Sequence, residues 1–493
     1  MNIKQAKEYI KETARLYLKK DDLGDYIIPV VRQRPIFLLG APGVGKTAIM
    51  EQVAAELGIA LVSYSMTHHT RQSAIGLPFI RRKEYGGEEY DVTEYTMSEI
   101  IASVYDTMEE SGINEGILFL DEINCVSETL SPSMLQFLQY KVFGRHHVPD
   151  GWVIVTAGNP PEYNKAVREF DVAVLDRLKV ISVEPDYRSF KDYAVEKSLH
   201  PAILNFLDIK REYFYKIENT GTGRSYVTAR GWEDLSDIIT LYEEEGLKPD
   251  DTLIGQYIRN DAVVREFSAY YDLFNKYKRD YHVSEILEGE VADHVYPRVA
   301  AAPFDERLSL LSMLMDRITY EIRENIRRMD QLSKAAPILK GASSLSGGEL
   351  GAWLDKSIEG CEKNLFSKKK AGALAGDEER ILRHTIKLLK DMRGLGSFEE
   401  IKALYNERVE AVKQESIAAS SRLHNLFVFC EKAFAEGNEM LIFVTQLTVN
   451  PYTSRFIARF GSSDYEKHQD ELMLTQRRID MQSEVKELLN ETI

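Results

Sequence analysis

Arg34-Pro-Ile-Phe-Leu-Leu-Gly-Ala-Pro-Gly-Val-Gly-Lys-Thr47 decides how the chain is read. Its first half is a short apolar run suited to a buried strand. Its second half fits the pattern GxxxxGK followed by Ser or Thr. Lys46 to Leu57 then reads as a helix, so the glycine-rich loop stands between a strand and a helix N-terminus. Gly40, Gly43 and Gly45 let the segment Gly40 to Ala48, with Ala41, Pro42 and Val44 between them, curl until its N–H groups point inward at phosphate oxygens. The helix adds the positive end of its dipole. Lys46 can reach the β- and γ-phosphates, and the Thr47 hydroxyl can ligate magnesium.

The second chemical element is Ile117-Leu-Phe-Leu-Asp-Glu122, an apolar strand ending in two carboxylates. Phosphoryl transfer needs positioning and charge compensation more than covalent chemistry. A metal carboxylate beside a water-orienting carboxylate is the matching pair, with Asp121 in the magnesium shell and Glu122 polarising the attacking water. ATP and Mg²⁺ are therefore the expected cofactors.

Further apolar runs lie at Ile59 to Tyr64, Trp152 to Thr156 and Val180 to Val183, with helical stretches near Met97 to Ser111 and Ser131 to Tyr140. Short apolar strands separated by helices predict a five-stranded parallel sheet covered on both faces. An amphipathic helix carrying Ile3, Ala6, Ile10, Ala14 and Tyr17 precedes it. Phe79 to Tyr95, with Gly86-Gly87 at its middle, predicts an inserted β-hairpin, and Val142 to Gly151 a second hairpin or loop. Tyr187 to Tyr277 reads as helices only. The chain beyond Asp305 is again mainly helical, with Leu308, Leu311, Met315, Ile318 and Ile322 as a core stripe. Lys340 to Gly348 and Lys368 to Gly376 read as flexible interruptions.

With these motifs in this order, the chain resembles an AAA+ ATPase, most closely of the MoxR group. Asp121-Glu-Ile-Asn124 is similar to that group's acidic strand end, and Thr156-Ala-Gly-Asn-Pro-Pro-Glu-Tyr163 to its sensor-1 segment. The resemblance implies that Asn159 bonds the γ-phosphate or the attacking water. It implies that Arg177, in Leu175-Asp-Arg-Leu178, is an arginine finger for the neighbouring subunit, with nearby Arg168 as the other candidate. Arg230, in Thr228-Ala-Arg-Gly-Trp232, would be the sensor-2 arginine of a helical lid. The two hairpins fall where MoxR proteins carry insertions. Cys125, Leu178 and Ala229 depart from the family's more usual Arg, Phe and Pro. The resemblance covers roughly residues 25 to 275. The domains expected are an AAA+ nucleotide-binding α/β domain over 1–185, a helical lid with sensor 2 over 186–280, and a mainly α-helical C-terminal region over 281–493.

Composition limits the partners. Among 493 residues, 78 Asp and Glu against 62 Lys and Arg give a net charge of -16, which disfavours a protein that coats nucleic acid. The basic clusters Arg81-Arg82-Lys83 and Lys368-Lys369-Lys370 read as solvated loops. Cys125, Cys361 and Cys430 lie far apart, which argues for a reducing compartment and against a disulfide framework. No apolar run suits a membrane span or a signal peptide, so a cytoplasmic location is expected. Leu345-Ser-Gly-Gly-Glu349 resembles a transporter signature but follows the acidic strand instead of preceding it, and reads as a loop. Neither His68-His69 nor His146-His147 has metal-ligand spacing, and no DxSxS pattern is present.

The resemblance thus implies a ring, expected to be a hexamer, that spends ATP hydrolysis on remodelling or activating a protein client. A separate protein bearing a von Willebrand A domain is the family's usual companion. Two alternatives remain at this stage, a nucleic-acid-acting AAA+ motor (helicase or restriction-type translocase) and a non-hydrolysing nucleotide switch.

Overall fold

The computed structural model describes residues 1–470 apart from 69–70, 164–166, 221–222, 375 and 435–436. Helix α1 (Ile3–Tyr17) starts at a reciprocal capping box: Gln5 N donates to Asn2 Oδ1 (2.9 Å) and Asn2 N to Gln5 Oε1 (3.1 Å). There follow β1 (Ile36–Gly40), α2 (Lys46–Leu57), β2 (Ala60–Ser65), α3 (Arg71–Ile75), β3 (Pro78–Tyr85), β4 (Glu88–Tyr95), α4 (Glu99–Ser111) and β5 (Gly116–Asp121). Then come α5 (Ser131–Tyr140), β6 (Val142–Phe143), β7 (His146–His147), β8 (Trp152–Gly158), α6 (Val172–Leu175) and β9 (Lys179–Val183).

Five of these strands form one parallel sheet in the order β2-β5-β8-β1-β9. Side chains alternate between its faces. Ile36, Leu38, Ile117, Phe119, Val153, Val155, Ile181 and Val183 pack with Ala6, Ile10 and Ala14 of α1 and Ile49, Met50 and Val53 of α2. Phe37, Leu118, Leu120, Trp152 and Ile154 pack with Ile100, Ile101 and Val104 of α4 and Met134, Phe137 and Leu138 of α5. Cover on both faces is why these strands read as unbroken apolar runs. The expected hairpin is β3–β4, paired from Pro78↔Tyr95 to Tyr85↔Glu88 around Gly86-Gly87, and β6–β7 is a second, shorter one.

The remaining elements are α7 (Tyr187–Lys197), α8 (Pro201–Ile209), β10 (Lys216–Thr220), β11 (Gly223–Val227), α9 (Ala229–Glu244), α10 (Asp251–Tyr257), α11 (Asp261–Asp280), α12 (Val283–Glu288) and α13 (Val295–Ala300). Beyond them lie α14 (Phe304–Gly341), α15 (Gly347–Lys370), α16 (Gly376–Arg393), α17 (Phe398–Phe434), α18 (Asn438–Val449) and α19 (Pro451–Phe460). The chain forms two compact units. One gathers Met1–Ser189, Thr228–Arg230 and Gly351–Arg393; the other holds Phe190–Val227, Gly231–Leu350 and the chain from Gly394 onward. In the second unit, Leu308, Leu311, Met315, Ile318 and Ile322 are buried along α14, as their spacing predicts. No helix among the described residues is long and apolar enough to cross a membrane.

Three local expectations are corrected. The helices-only reading of Tyr187 to Tyr277 missed β10–β11, an antiparallel pair in which Ile217 faces Tyr226 across the ladder. Thr220-Gly-Thr-Gly223 between β-formers carried that signal in the sequence. Lys340 to Gly348, together with the transporter-like Leu345 to Glu349, is not a long flexible loop. α14 runs to Gly341 and α15 starts at Gly347, with Leu345 N donating to Ala342 O (3.0 Å) in the turn between them. Nor is Lys368 to Gly376 flexible over its described residues. Lys368, Lys369 and Lys370 form the last turn of α15, and Ala371 and Ala373 are buried. Ala373 N donates to Lys368 O (3.0 Å) and Gly372 N to Lys369 O (3.1 Å), a Schellman cap in which only Gly372, at φ 62°, tolerates the left-handed turn without strain.

Lys141, just after α5, is an outlier in this framework. Its side chain is buried and its Nζ donates to Gln33 Oε1 (3.3 Å), whose amide in turn donates to Tyr17 O (2.9 Å) and Ile28 O (3.0 Å). Burial pulls its pKa from 10.5 down to about 8, against the attraction of Asp150. Below about pH 8 the folded and unfolded chains are both protonated here, so the folded state carries the full penalty of a buried ammonium. Between 8 and 10.5 the folded chain sheds the proton first, and stability rises with pH. Lys141→Met should therefore stabilise the protein by on the order of 1–3 kcal/mol at pH 7 and by much less at pH 10. Urea melts at the two pH values measure this, and an equal effect at both would refute it.

Candidate nucleotide-binding site

The site assembles at the ends of β1, β5 and β8, where the parallel sheet delivers three loops side by side. After β1, Gly43 (φ 74°) and Gly45 (φ 94°) turn the chain into α2. Gly43 is held by more than its φ, because a Cβ there would lie 3.0 Å from Thr228 Cβ. Lys46, the first residue of α2, is only 8% exposed. Its Nζ donates to Gly40 O (2.8 Å), Ala41 O (2.9 Å) and Asn159 Oδ1 (2.9 Å). Burial lowers its pKa from 10.5 to about 8; the Arg230 charge pushes the same way, and Asp121 and Glu122 oppose them. A cation so poorly solvated is one that a polyanion would stabilise.

Thr47 Oγ1 donates to Asp121 Oδ2 (3.1 Å), bringing a hydroxyl and a carboxylate oxygen together beside the loop. Hard oxygen donors of this kind suit Mg²⁺. Asp121 Oδ1 also accepts from Glu122 N (2.8 Å), which helps hold Glu122 in a left-handed turn (φ 56°) at the end of β5. Strain of this kind at a non-glycine residue turns its side chain out of the strand direction. The Glu122 carboxylate accepts from Thr67 Oγ1 (3.1 Å) and Ser65 Oγ (3.3 Å), both supplied by the chain at the end of β2.

Asn159, past the end of β8, is positioned from two sides, by Lys46 and by Asn124 Nδ2, which donates to Asn159 O (2.8 Å). The structure therefore gathers Gly40 to Ala48, Asp121, Glu122 and Asn159 into one site, with Arg230 close enough for its charge to act on Lys46. Arg177 is not part of that cluster. It is exposed, and its Nη1 donates to Ala173 O one turn earlier (3.3 Å). Arg168 is also exposed; its guanidinium pairs with Glu128, and its N donates to Asn124 O (2.9 Å). Asn124, Ser65, Thr67 and Thr228 were not singled out from sequence as site residues. Asn124 and Thr228 carried a signal, each lying inside a family-like motif. Ser65 and Thr67 are polar residues of ordinary type, brought in by strand order.

His146 Nε2 meets Tyr95 O (3.2 Å), while His69 and the side chain of His68 lie outside the described residues. No group of three or more His, Cys, Asp or Glu among the described residues is placed to hold a metal.

A parallel sheet with a glycine-rich phosphate cradle after its first strand, and paired acidic residues after the strand two places along, defines a P-loop nucleotide-binding domain. Comparison with known families narrows this: residues 36–176 match the ATPase family associated with various cellular activities (AAA), and they form an AAA ATPase domain. The match takes in the phosphate loop, Asp121, Glu122, Asn159 and Arg168, and it ends one residue before Arg177. No curated protein matches the chain.

Two substitutions probe the geometry. Lys46→Met removes a buried cation, so the empty protein should melt no lower while MgATP affinity drops by at least about 100-fold. Nucleotide-dependent thermal shift reads both effects together. Asn124→Ala should cut kcat about tenfold with little change in KM, because it loosens Asn159 and leaves the phosphate cradle alone. Unaltered turnover would show that Asn124 does not position Asn159.

Proposed function

We propose that the chain is a MoxR-like AAA+ ATPase that assembles as a homo-oligomeric ring, a hexamer, and uses MgATP hydrolysis to remodel or activate a protein client. The observation that carries this reading is the convergence at Lys46, whose Nζ joins the phosphate loop to Asn159, beside the Thr47–Asp121 contact. In this reading Lys46 and the loop amides hold the triphosphate, and Thr47 and Asp121 hold Mg²⁺. That ion would neutralise charge on the terminal phosphates and fix their orientation. Glu122, once released from Ser65 and Thr67, accepts a proton from water that Asn159 orients. Arg230 senses nucleotide from within the chain. Arg177, exposed and donating to a carbonyl on its own turn, is presented to the next subunit in the ring. Arg168 is the weaker choice, being engaged with Glu128.

Charge placement favours a protein client over nucleic acid. Arg81 and Lys83 pair with Glu94, and Arg82 lies 3.5 Å from Asp91. Lys368 and Lys369 pair with Glu378 and Glu379, so neither basic cluster offers unshared charge to phosphates. The β3–β4 hairpin instead exposes Ile80, Tyr85 and Tyr90, side chains suited to an apolar polypeptide segment. A von Willebrand A domain protein remains the companion that the MoxR resemblance suggests.

Neither Arg177→Ala nor Lys46→Ala protein should hydrolyse ATP alone, whereas mixtures should recover activity at sites that pair an intact Lys46 with an intact Arg177. An arginine finger contributes about 10³–10⁵ in rate, so recovery is easily seen. Mixtures that stay inactive while both variants oligomerise would exclude a shared site. Glu122→Gln protein should retain ATP and hold the client in a pull-down. Recovery of nucleic acid alone would favour the motor alternative.

A further inference from the structure

The segment Gly351–Arg393 belongs to the first compact unit although the chain on both sides of it belongs to the second. It is a helical hairpin, α15 against α16, tied by Arg393–Asp355 (2.6 Å) and Lys390–Glu362 (2.7 Å). Its turn is pressed onto the open edge of the sheet. β2 pairs with β5 on one side only, and on its outer side Leu61 N donates to Ala371 O (2.6 Å). Ala371 and Ala373 enter the same apolar cluster as Val62 and Leu118. A Cβ on Gly372 would lie 3.2 Å from Leu61 O and 3.3 Å from Leu61 Cβ, so a side chain there would press on Leu61. Ser367 Oγ donates to Ser111 O, and Lys370 pairs with Glu110 (3.1 Å), fixing the hairpin on α4 as well.

Four residues beyond that clamp, β2 reaches Ser65, paired in register with Asp121. Ser65 and, two residues on, Thr67 are the hydroxyls that hold the Glu122 carboxylate. A close-packed interior transmits displacement, so what fixes Leu61 bears on where Ser65, at the end of the same strand, and Thr67, just beyond it, stand. We propose that the α15–α16 hairpin is a built-in restraint on hydrolysis. Docked on β2, it keeps Ser65 and Thr67 locked on Glu122; undocked, it lets β2 shift and frees the carboxylate for water. The inference rests on the reading of Glu122 as the hydrolytic carboxylate.

The test uses the full chain, with Gly372→Val, whose added side chain opposes both the approach and the left-handed turn, and the milder double variant Ser367→Ala/Lys370→Glu. Hydrogen exchange of peptides spanning Ala60–Ser65 reports the clamp, and steady-state kinetics report its effect. Both variants should exchange faster at β2 and show kcat raised at least about threefold at unchanged KM for ATP. Thr67→Val should also raise kcat, and adding it to Gly372→Val should bring no further gain, since both release the same carboxylate. Exchange that stays slow in both hairpin variants would overturn the proposal. So would faster exchange without a rise in kcat, or gains from Gly372→Val and Thr67→Val that multiply. Glu122→Gln separates the two claims: if it hydrolyses ATP normally, the assignment of Glu122 fails whatever the strap does.

Discussion

The arrangement depends on one buried ammonium. Lys46 enters the first turn of α2 with its charge largely withdrawn from water, and three oxygens from two different strand ends replace the lost hydration. Those oxygens converge only if β1 and β8 lie side by side and parallel, as their register from Ile36↔Val155 to Leu39↔Gly158 provides. The apolar layers on the two faces make that adjacency rigid. The cation therefore depends on the sheet to satisfy it, and the phosphate loop depends on the cation to close around it.

The acidic side of the site follows a different logic. Glu122 sits in a left-handed turn, and two hydroxyls, from the last residue of β2 and from Thr67 just beyond it, hold its carboxylate. A carboxylate held in this way suits an enzyme whose turnover is to be conditional. Two hydrogen bonds to a charged group offer a barrier of a few kcal/mol at most, small enough for a conformational signal to overcome. β2 is the strand suited to carry such a signal, because it is the sheet's edge and its outer side takes a segment from far along the chain.

Much of this was legible in the residues alone. The five apolar runs, the glycine-rich loop and the Asp121-Glu122 pair fixed the sheet, the helix after it and the acidic strand end, because each is a local pattern with one physical meaning. Position along a strand and spacing on a helix also gave the α14 stripe and the β3–β4 hairpin. One miss has a tertiary cause. Lys368 to Gly376 has the composition of a loop, and only a hydrogen bond to Leu61, more than 300 residues away, turns it into a wall of the core.

What the sequence determined by itself is therefore the chemistry available: which groups can bind phosphate, metal and water, and which runs of chain can be strands or helices. Tertiary structure decided which of them meet. Nothing in the order of residues says that β2 lies beside β5, that Thr67 reaches Glu122, that Thr228 closes on Gly43, or that the α15–α16 turn covers the sheet's edge. These contacts come from packing two faces of one sheet against whatever apolar surface the rest of the chain supplies. That is a property of the whole molecule, and no short window of sequence contains it.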